Sequence, residues 1–170
     1  MQKFVNEEIY FKKLILFKKT AENIYTLGNI QKKIKTYKDA SSSFETAIEL
    51  NPEFSEAHNN LGNTKKLINE REAAITHYKK AINIKKDNIA ALINLSTILK
   101  EINNYQELIK IYEKILLLDK NNIKKIYNIS TAHLFLGNTS KTRECFEYII
   151  QINKHHILIF RNYFFVIITF

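Results

Sequence analysis

Proline is nearly missing from this chain of 170 residues: Pro52 is the only one, and glycine occurs only at Gly28, Gly62 and Gly137. Such sparse punctuation does not suit a many-turned β fold and suits long helices. Arginine is scarce too. It appears only as Arg71, Arg143 and Arg161, so the net charge of +9 comes mostly from lysine, with Glu and Asp interspersed along most of the chain. A dedicated nucleic-acid binder would cluster its basic residues and feature Arg for bidentate phosphate and guanine contacts, so no nucleic-acid partner is expected. The positive balance tilts partners toward acidic ones. A single cysteine, Cys145, cannot close an intramolecular disulfide, and nothing demands an oxidising compartment.

A secretory leader is not expected either, because Glu7 and Glu8 precede an apolar stretch that Lys12, Lys13, Lys18 and Lys19 interrupt and flank. Residues 157–170 are strongly apolar but contain Arg161 and Asn162 and fall short of the roughly 20 residues that span a bilayer. The expectation is a cytoplasmic protein without a membrane span. With 45% of its residues apolar, the chain has material for a substantial core, and one compact all-α domain is expected.

What the chain has in quantity is likeness to itself. Counted from Ala21, position 7 reads Leu27, Leu61, Leu95 and Ile129, each 34 residues from the next. Position 24 reads Phe44, Tyr78, Tyr112 and Phe146. Small residues keep the same interval, with Gly28, Gly62, Ser96 and Ser130 at position 8, Ala40 and Ala74 at position 20, and Ala47 and Ala81 at position 27. Two antiparallel helices approach closely only where side chains are small, while Leu and an aromatic fill the space alongside, so small and large positions recur together.

Within each repeat the apolar residues fall at helical spacing, broken at Asn69, at Asn103 and Asn104, and at Gly137 and Asn138. Each break separates a helix A from a helix B. Between repeats the chain is expected to turn at Asn51-Pro52, Asp87-Asn88, Asn121-Asn122 and Asn153-Lys154, with proline or residues that tolerate left-handed backbone ending helix B. This gives repeats over 21–54, 55–88, 89–122 and 123–156, a capping half repeat over 1–20, and an incomplete fifth helix A over 157–170. Tyr10, Leu14 and Leu16 place the first segment at the phase of a helix B. The last segment is apolar almost all round, so either the chain is a fragment or a partner contacts that end.

These residues resemble the tetratricopeptide repeat family, whose pattern asks for Leu-Gly, an aromatic, Ala, an aromatic, Ala and Pro. The first repeat supplies Leu27, Gly28, Ala40, Phe44, Ala47 and Pro52, with Gln31 where an aromatic or aliphatic residue is usual. The second departs at the proline, which is Lys86. The third and fourth drift, with Leu108 and Ile115, then Thr142 and Ile149, where the family prefers Ala. The resemblance implies a right-handed α-solenoid of helix-turn-helix repeats, similar to the superhelices of O-GlcNAc transferase type, with partners bound on the concave face lined by the A helices.

On that face the resemblance places positions 2, 5, 6, 9, 12 and 13 of each helix A, and position 6 reads Asn60, Asn94 and Asn128, with Asn162 in the same register and Thr26 departing in the first repeat. An amide both donates and accepts, so a row of them matches successive backbone amides of an extended peptide. The same asparagines also suit local hydrogen bonding. Position 9 adds Asn29 and Asn63, then Thr97 and Thr131. Position 12 reads Lys32, Lys66 and Lys100 before Leu134 breaks the stripe, and favours acidic peptides or else is simply solvated. The chaperone-type carboxylate clamp is matched at Asn63, Asn94 and Lys124 but lacks two cations, with Asn59 and Asn128 in their places.

No catalytic constellation accompanies these faces. His58, His77, His133, His155 and His156 make no zinc-ligand spacing, Cys145 adjoins the packing Phe146, and there is no phosphate-binding glycine loop. No enzyme activity and no cofactor are therefore expected. The expected function is a scaffold that binds an extended peptide segment of a partner protein, with a substrate-recruiting region of a larger enzyme, such as a glycosyltransferase, as the alternative. Helical-repeat RNA binding would need a basic, base-reading groove and commonly a different period.

Overall fold

The computed structural model describes residues 2–119 and 122–152, and among these it contains nine helices and no strand. They are α1 (Gln2–Phe17), α2 (Ala21–Lys33), α3 (Tyr37–Leu50), α4 (Ser55–Leu67), α5 (Arg71–Ile84), α6 (Ile89–Glu101), α7 (Tyr105–Leu118), α8 (Ile123–Phe135) and α9 (Thr139–Ile152). From α2 onward they alternate between an A helix and a B helix. None of the described helices is long and apolar enough to cross a membrane. The expected fifth helix over 157–170, Asn162 with it, lies outside the described residues.

Each A helix is joined to its B helix by the same device. Lys35, Asn69, Asn103 and Gly137 have φ of 67°, 70°, 56° and 72°. The next backbone N–H then reaches back five residues: Thr36 to Gln31, Glu70 to Lys65, Asn104 to Leu99 and Asn138 to His133, at 2.8–2.9 Å. This is the Schellman ending, in which one left-handed residue reverses the chain while satisfying the last carbonyls of the helix.

At the junctions between repeats Asn51 ends α3 ahead of Pro52, while Asn121 and the expected turn at Asn153-Lys154 lie outside the described residues. Asn51, Lys85 and Asp119 end the B helices with φ of −140°, −127° and −144°, and none of the described residues at these junctions is left-handed. Asn88 and Asn122 serve the following helix. Asn88 Oδ1 accepts from Ala91 N at 3.0 Å and Asn122 Oδ1 from Lys125 N at 3.1 Å, capping α6 and α8.

The close approach of A to B is made at positions 8 and 24. A Cβ on Gly28 would lie 2.7 Å from Phe44 Cε1, and one on Gly62 would lie 2.6 Å from Tyr78 Cε1. Both rings are fully buried, as are Ala40, Ala47, Ala74 and Ala81. The drifted residues of the later repeats stay inside: Leu108, Ile115, Thr142 and Ile149 are all buried. Thr142 Oγ1 donates to Asn138 O at 2.9 Å, so the hydroxyl is satisfied where Ala is usual. Gln31, out of pattern by chemistry, is likewise buried with a partner, its Oε1 accepting from Ser43 Oγ at 2.7 Å.

The contacts form two compact units, Met1–Leu95 and Ser96–Phe170, where one compact domain was expected. Among the described residues the helices pack mainly on their sequence neighbours. In the first unit α1 packs on α2. Of the residues that suggested this placement, Leu14 is half-buried, but Tyr10 and Leu16 are 60% and 84% exposed. The inward link is polar, with Glu8 Oε1 accepting from Gln31 Nε2 at 3.5 Å and pairing with Lys12 at 2.8 Å.

Candidate functional site

In the first unit the A helices α2 and α4 bring three of the expected site residues, Asn29, Lys32 and Asn60, into contact, with Tyr25 beside them. Asn60 Nδ2 donates to Tyr25 Oη at 2.9 Å and to Asn29 Oδ1 at 2.8 Å, and Asn60 Oδ1 accepts from Lys32 Nζ at 3.3 Å. Lys32 is half-buried, and its Nζ lies 5.9 Å from the centre of the Phe44 ring. Burial, then the neighbouring Lys33 charge, lowers the Lys32 pKa. The Tyr25 ring in turn rests 4.8 Å from Phe54 and 5.8 Å from Phe44. The face is an aromatic bed carrying a bonded group of amides.

Asn94 repeats the Asn60 bond one turn of the repeat later, its Nδ2 donating to Asn59 Oδ1 at 3.0 Å. Asn60 and Asn94 thus both reach position 5 of the preceding repeat, Tyr25 in one case and Asn59 in the other. Asn63 has another role, with its Oδ1 accepting from Tyr78 Oη at 2.8 Å within the same repeat. Lys66 is half-buried and engaged.

In the second unit the expected site residues Lys100 and Asn128 line a cavity of about 220 Å³ together with Thr131. Of its remaining wall, Tyr127 and Phe135 come from positions 5 and 13 of α8 together with Ala132, whereas Tyr105, Leu108 and Tyr112 come from α7 and were not legible as site residues in the sequence. Tyr105 and Phe135 stack with ring centres 4.8 Å apart and planes 6° apart. The Tyr112 phenol is hydrogen-bonded to the side chains of Ser96 and Asn128, and burial raises its pKa against both bonds. Lys100 is exposed, and no carboxylate among the described residues forms a salt bridge with it. The only signal available in sequence was that Tyr127 and Phe135 fall on positions 5 and 13 of an A helix.

Other titratable groups lie apart from these faces. His58 Nδ1 and His77 Nδ1 are 3.2 Å apart, and His58 Nε2 lies 3.2 Å from Pro52 O. A separate cavity of about 350 Å³ is lined by His133 and Cys145 among others. Burial first, then the Glu144 charge, raises the Cys145 pKa, which disfavours a reactive thiolate. No group of three or more His, Cys, Asp or Glu among the described residues is placed to hold a metal ion.

Comparison with known proteins adds the following. A family model described as tetratricopeptide repeat matches residues 21–54 and 55–88, and a second of the same description matches 91–123. No curated protein matches the sequence. Among solved structures, a crystal structure of MamA is similar with a TM-score of 0.74 at 22% identity, covering 89% of this chain and 89% of that one. YrrB, described as a TPR protein with an unusual peptide-binding site, gives a TM-score of 0.70 at 18% identity over 92% of this chain and 81% of its own. The MamA fragment 41-end from Desulfovibrio magneticus RS-1 gives 0.69 at 16% identity over 91% and 88%. At these identities the likeness concerns the fold.

Proposed function

Since this chain belongs to the tetratricopeptide repeat family, built of helix pairs that serve protein interaction, we propose that it is a non-catalytic scaffold whose A-helix faces hold an extended segment of a partner protein. The observation that carries the reading is the make-up of those faces. Each unit offers aromatic surface, half-buried amides and lysine on its A helices, which is the mixture that grips a peptide backbone and its acidic side chains. One structural neighbour, YrrB, is itself described as having a peptide-binding site.

In this reading Asn60, Asn94 and Asn128 meet the peptide backbone, Asn29 and Asn63 keep the surface polar, and Lys32, Lys66 and Lys100 favour acidic residues. Asn60 acts through a network it already shares with Tyr25, Asn29 and Lys32. That network fixes the position of the Asn60 amide, at the cost that a peptide must compete with the bonds it already makes.

The test is affinity capture from cell extract with the full chain and with N60A/N94A/N128A, followed by calorimetry on the peptide mapped from the captured protein. The triple variant should keep its helical circular dichroism and lose the peptide. Unchanged affinity would reject the amide row as the site. Binding that does not weaken between 50 mM and 300 mM salt would reject acidic side chains as part of the ligand.

A further inference from the structure

We propose that the cavity between α6, α7 and α8 of the second unit is an anchor for one large apolar side chain of the partner segment, followed within a residue or two by a carboxylate that pairs with Lys100. The proposal rests on the reading that the A-helix faces take a peptide, and it names what that peptide must carry.

The size suits a single side chain. At about 220 Å³ the cavity falls below the range of roughly 300–1,000 Å³ typical of small-molecule sites, while one leucine or phenylalanine side chain needs less space than a drug-sized ligand. The walls are apolar in the way such a side chain requires. Tyr105 and Phe135 form one stacked sheet of ring surface, and Phe135 remains 65% exposed, an unusually open position for an aromatic residue. Leu108 and Ala132 complete the floor.

The polar groups inside do not object to an apolar guest. Tyr112 is already bonded to Asn128 and Ser96, so a hydrocarbon entering beside them strands none of those bonds. An anchor of this kind, a preformed aromatic slot filled by one side chain, is where binding energy concentrates in protein interfaces.

Charge selects the neighbour of that side chain. The aromatic walls would also attract a cation, but Lys100 lies on the lining with no salt-bridge partner among the described residues and repels one. An adjacent Asp, Glu or chain-terminal carboxylate is attracted instead.

The experiment titrates the isotopically labelled full chain with three synthetic peptides, acetyl-Gly-Phe-Glu-Gly-amide, acetyl-Gly-Phe-Lys-Gly-amide and acetyl-Gly-Ala-Glu-Gly-amide, followed by NMR. The Phe-Glu peptide should shift the signals of Lys100, Tyr105, Thr131 and Phe135 and bind about threefold more tightly than Phe-Lys, as an exposed charge pair allows. The Ala-Glu peptide should leave them unmoved. K100E should reverse the preference between Glu and Lys, and F135A should abolish the shifts while circular dichroism stays unchanged. Shifts confined to other residues, or equal binding of the Phe-Glu and Phe-Lys peptides, would overturn the anchor. Partner capture separates the two levels: if F135A captures normally and N60A/N94A/N128A does not, the anchor is wrong and the peptide-holding face stands. If neither variant affects capture, both fall.

Discussion

His58 and His77 share one proton between their Nδ1 atoms, which lie 3.2 Å apart on A and B helices of the same repeat. His58 Nε2–H donates to Pro52 O, which leaves His58 Nδ1 as the acceptor and makes His77 Nδ1–H the donor. Two donors cannot face each other, so the pair cannot carry both charges without parting.

The pH dependence follows in sign. Burial and then the His58 charge push His77 down to about 4, helped by Lys80 and Lys65 and opposed by Glu45. Burial also lowers His58, with Lys80 adding to it and Pro52 O and Glu53 opposing. Folded values below the ordinary 6.5 mean the unfolded chain binds more protons as pH falls. Stability is full above about pH 6.5 and should decline as pH falls toward about 4. Thermal melts of wild type and H58L/H77F at pH 7.5, 5.5 and 4.5 check this. The wild type should lose more of its midpoint than the variant over that range.

Gly62 lies so close to Tyr78 that alanine should destabilise the second repeat, even though alanine is the better helix former by about 1 kcal/mol. A Cβ at 2.6 Å from the ring forces a buried aromatic to move, and overpacking of this kind costs about 1–3 kcal/mol. Urea unfolding should show G62A less stable than wild type, and Y78L in the same background should recover part of the loss relative to Y78L alone. Ser96 holds the corresponding place in the third repeat, where the Tyr112 phenol bonds to it. S96G should therefore destabilise rather than relieve that repeat.

Lys35 occupies the left-handed position that Gly137 fills in the fourth repeat, with φ of 67° against 72°. A residue with a Cβ is disfavoured there by about 1–2 kcal/mol, while glycine's extra freedom in the unfolded chain returns part of it. K35G should raise stability by roughly 0.5–1 kcal/mol and G137A should lower it by about as much. Both side-chain positions are exposed, so packing does not confuse the comparison. Equal melting of K35G and wild type would count against it.

The parts of the fold that announced themselves in sequence were those whose chemistry recurs. Gly28 with Phe44, and Gly62 with Tyr78, are visible because a missing side chain and a large ring must return together wherever two helices touch. Lys35 was not visible, because lysine carries no preference for left-handed backbone and the conformation is imposed by the turn it shares with Asn69, Asn103 and Gly137. Asn88 and Asn122 read as helix stops and act as caps of the next helix, since an Asx side chain suits both and only the backbone angles decide. The histidine pair leaves no mark in the sequence spacing, because His58 and His77 meet only when α4 and α5 pack. Of the candidate site, Lys100 and Asn128 were found by register, whereas Tyr105 and Tyr112 belong to a B helix and join the cavity only through tertiary packing.

The position 6 asparagines look equivalent in sequence but are committed differently. Asn60 uses both amide hydrogens, on Tyr25 and Asn29, and its oxygen accepts from Lys32. Asn94 makes one bond from Nδ2, to Asn59. Truncating Asn60 leaves a tyrosine hydroxyl and an amide without their partner in a half-buried place, so N60A should cost about 1–3 kcal/mol of stability, whereas N94A should cost about 1 kcal/mol or less. Partner binding should rank them in the opposite order, because a peptide amide can engage Asn94 without breaking existing bonds but must compete with three at Asn60. Urea unfolding supplies the first ranking and calorimetry with the captured peptide the second, at a temperature where both variants are folded. If N60A lowers affinity more than N94A while both are fully folded, the network around Tyr25 is itself part of the binding face and not its support.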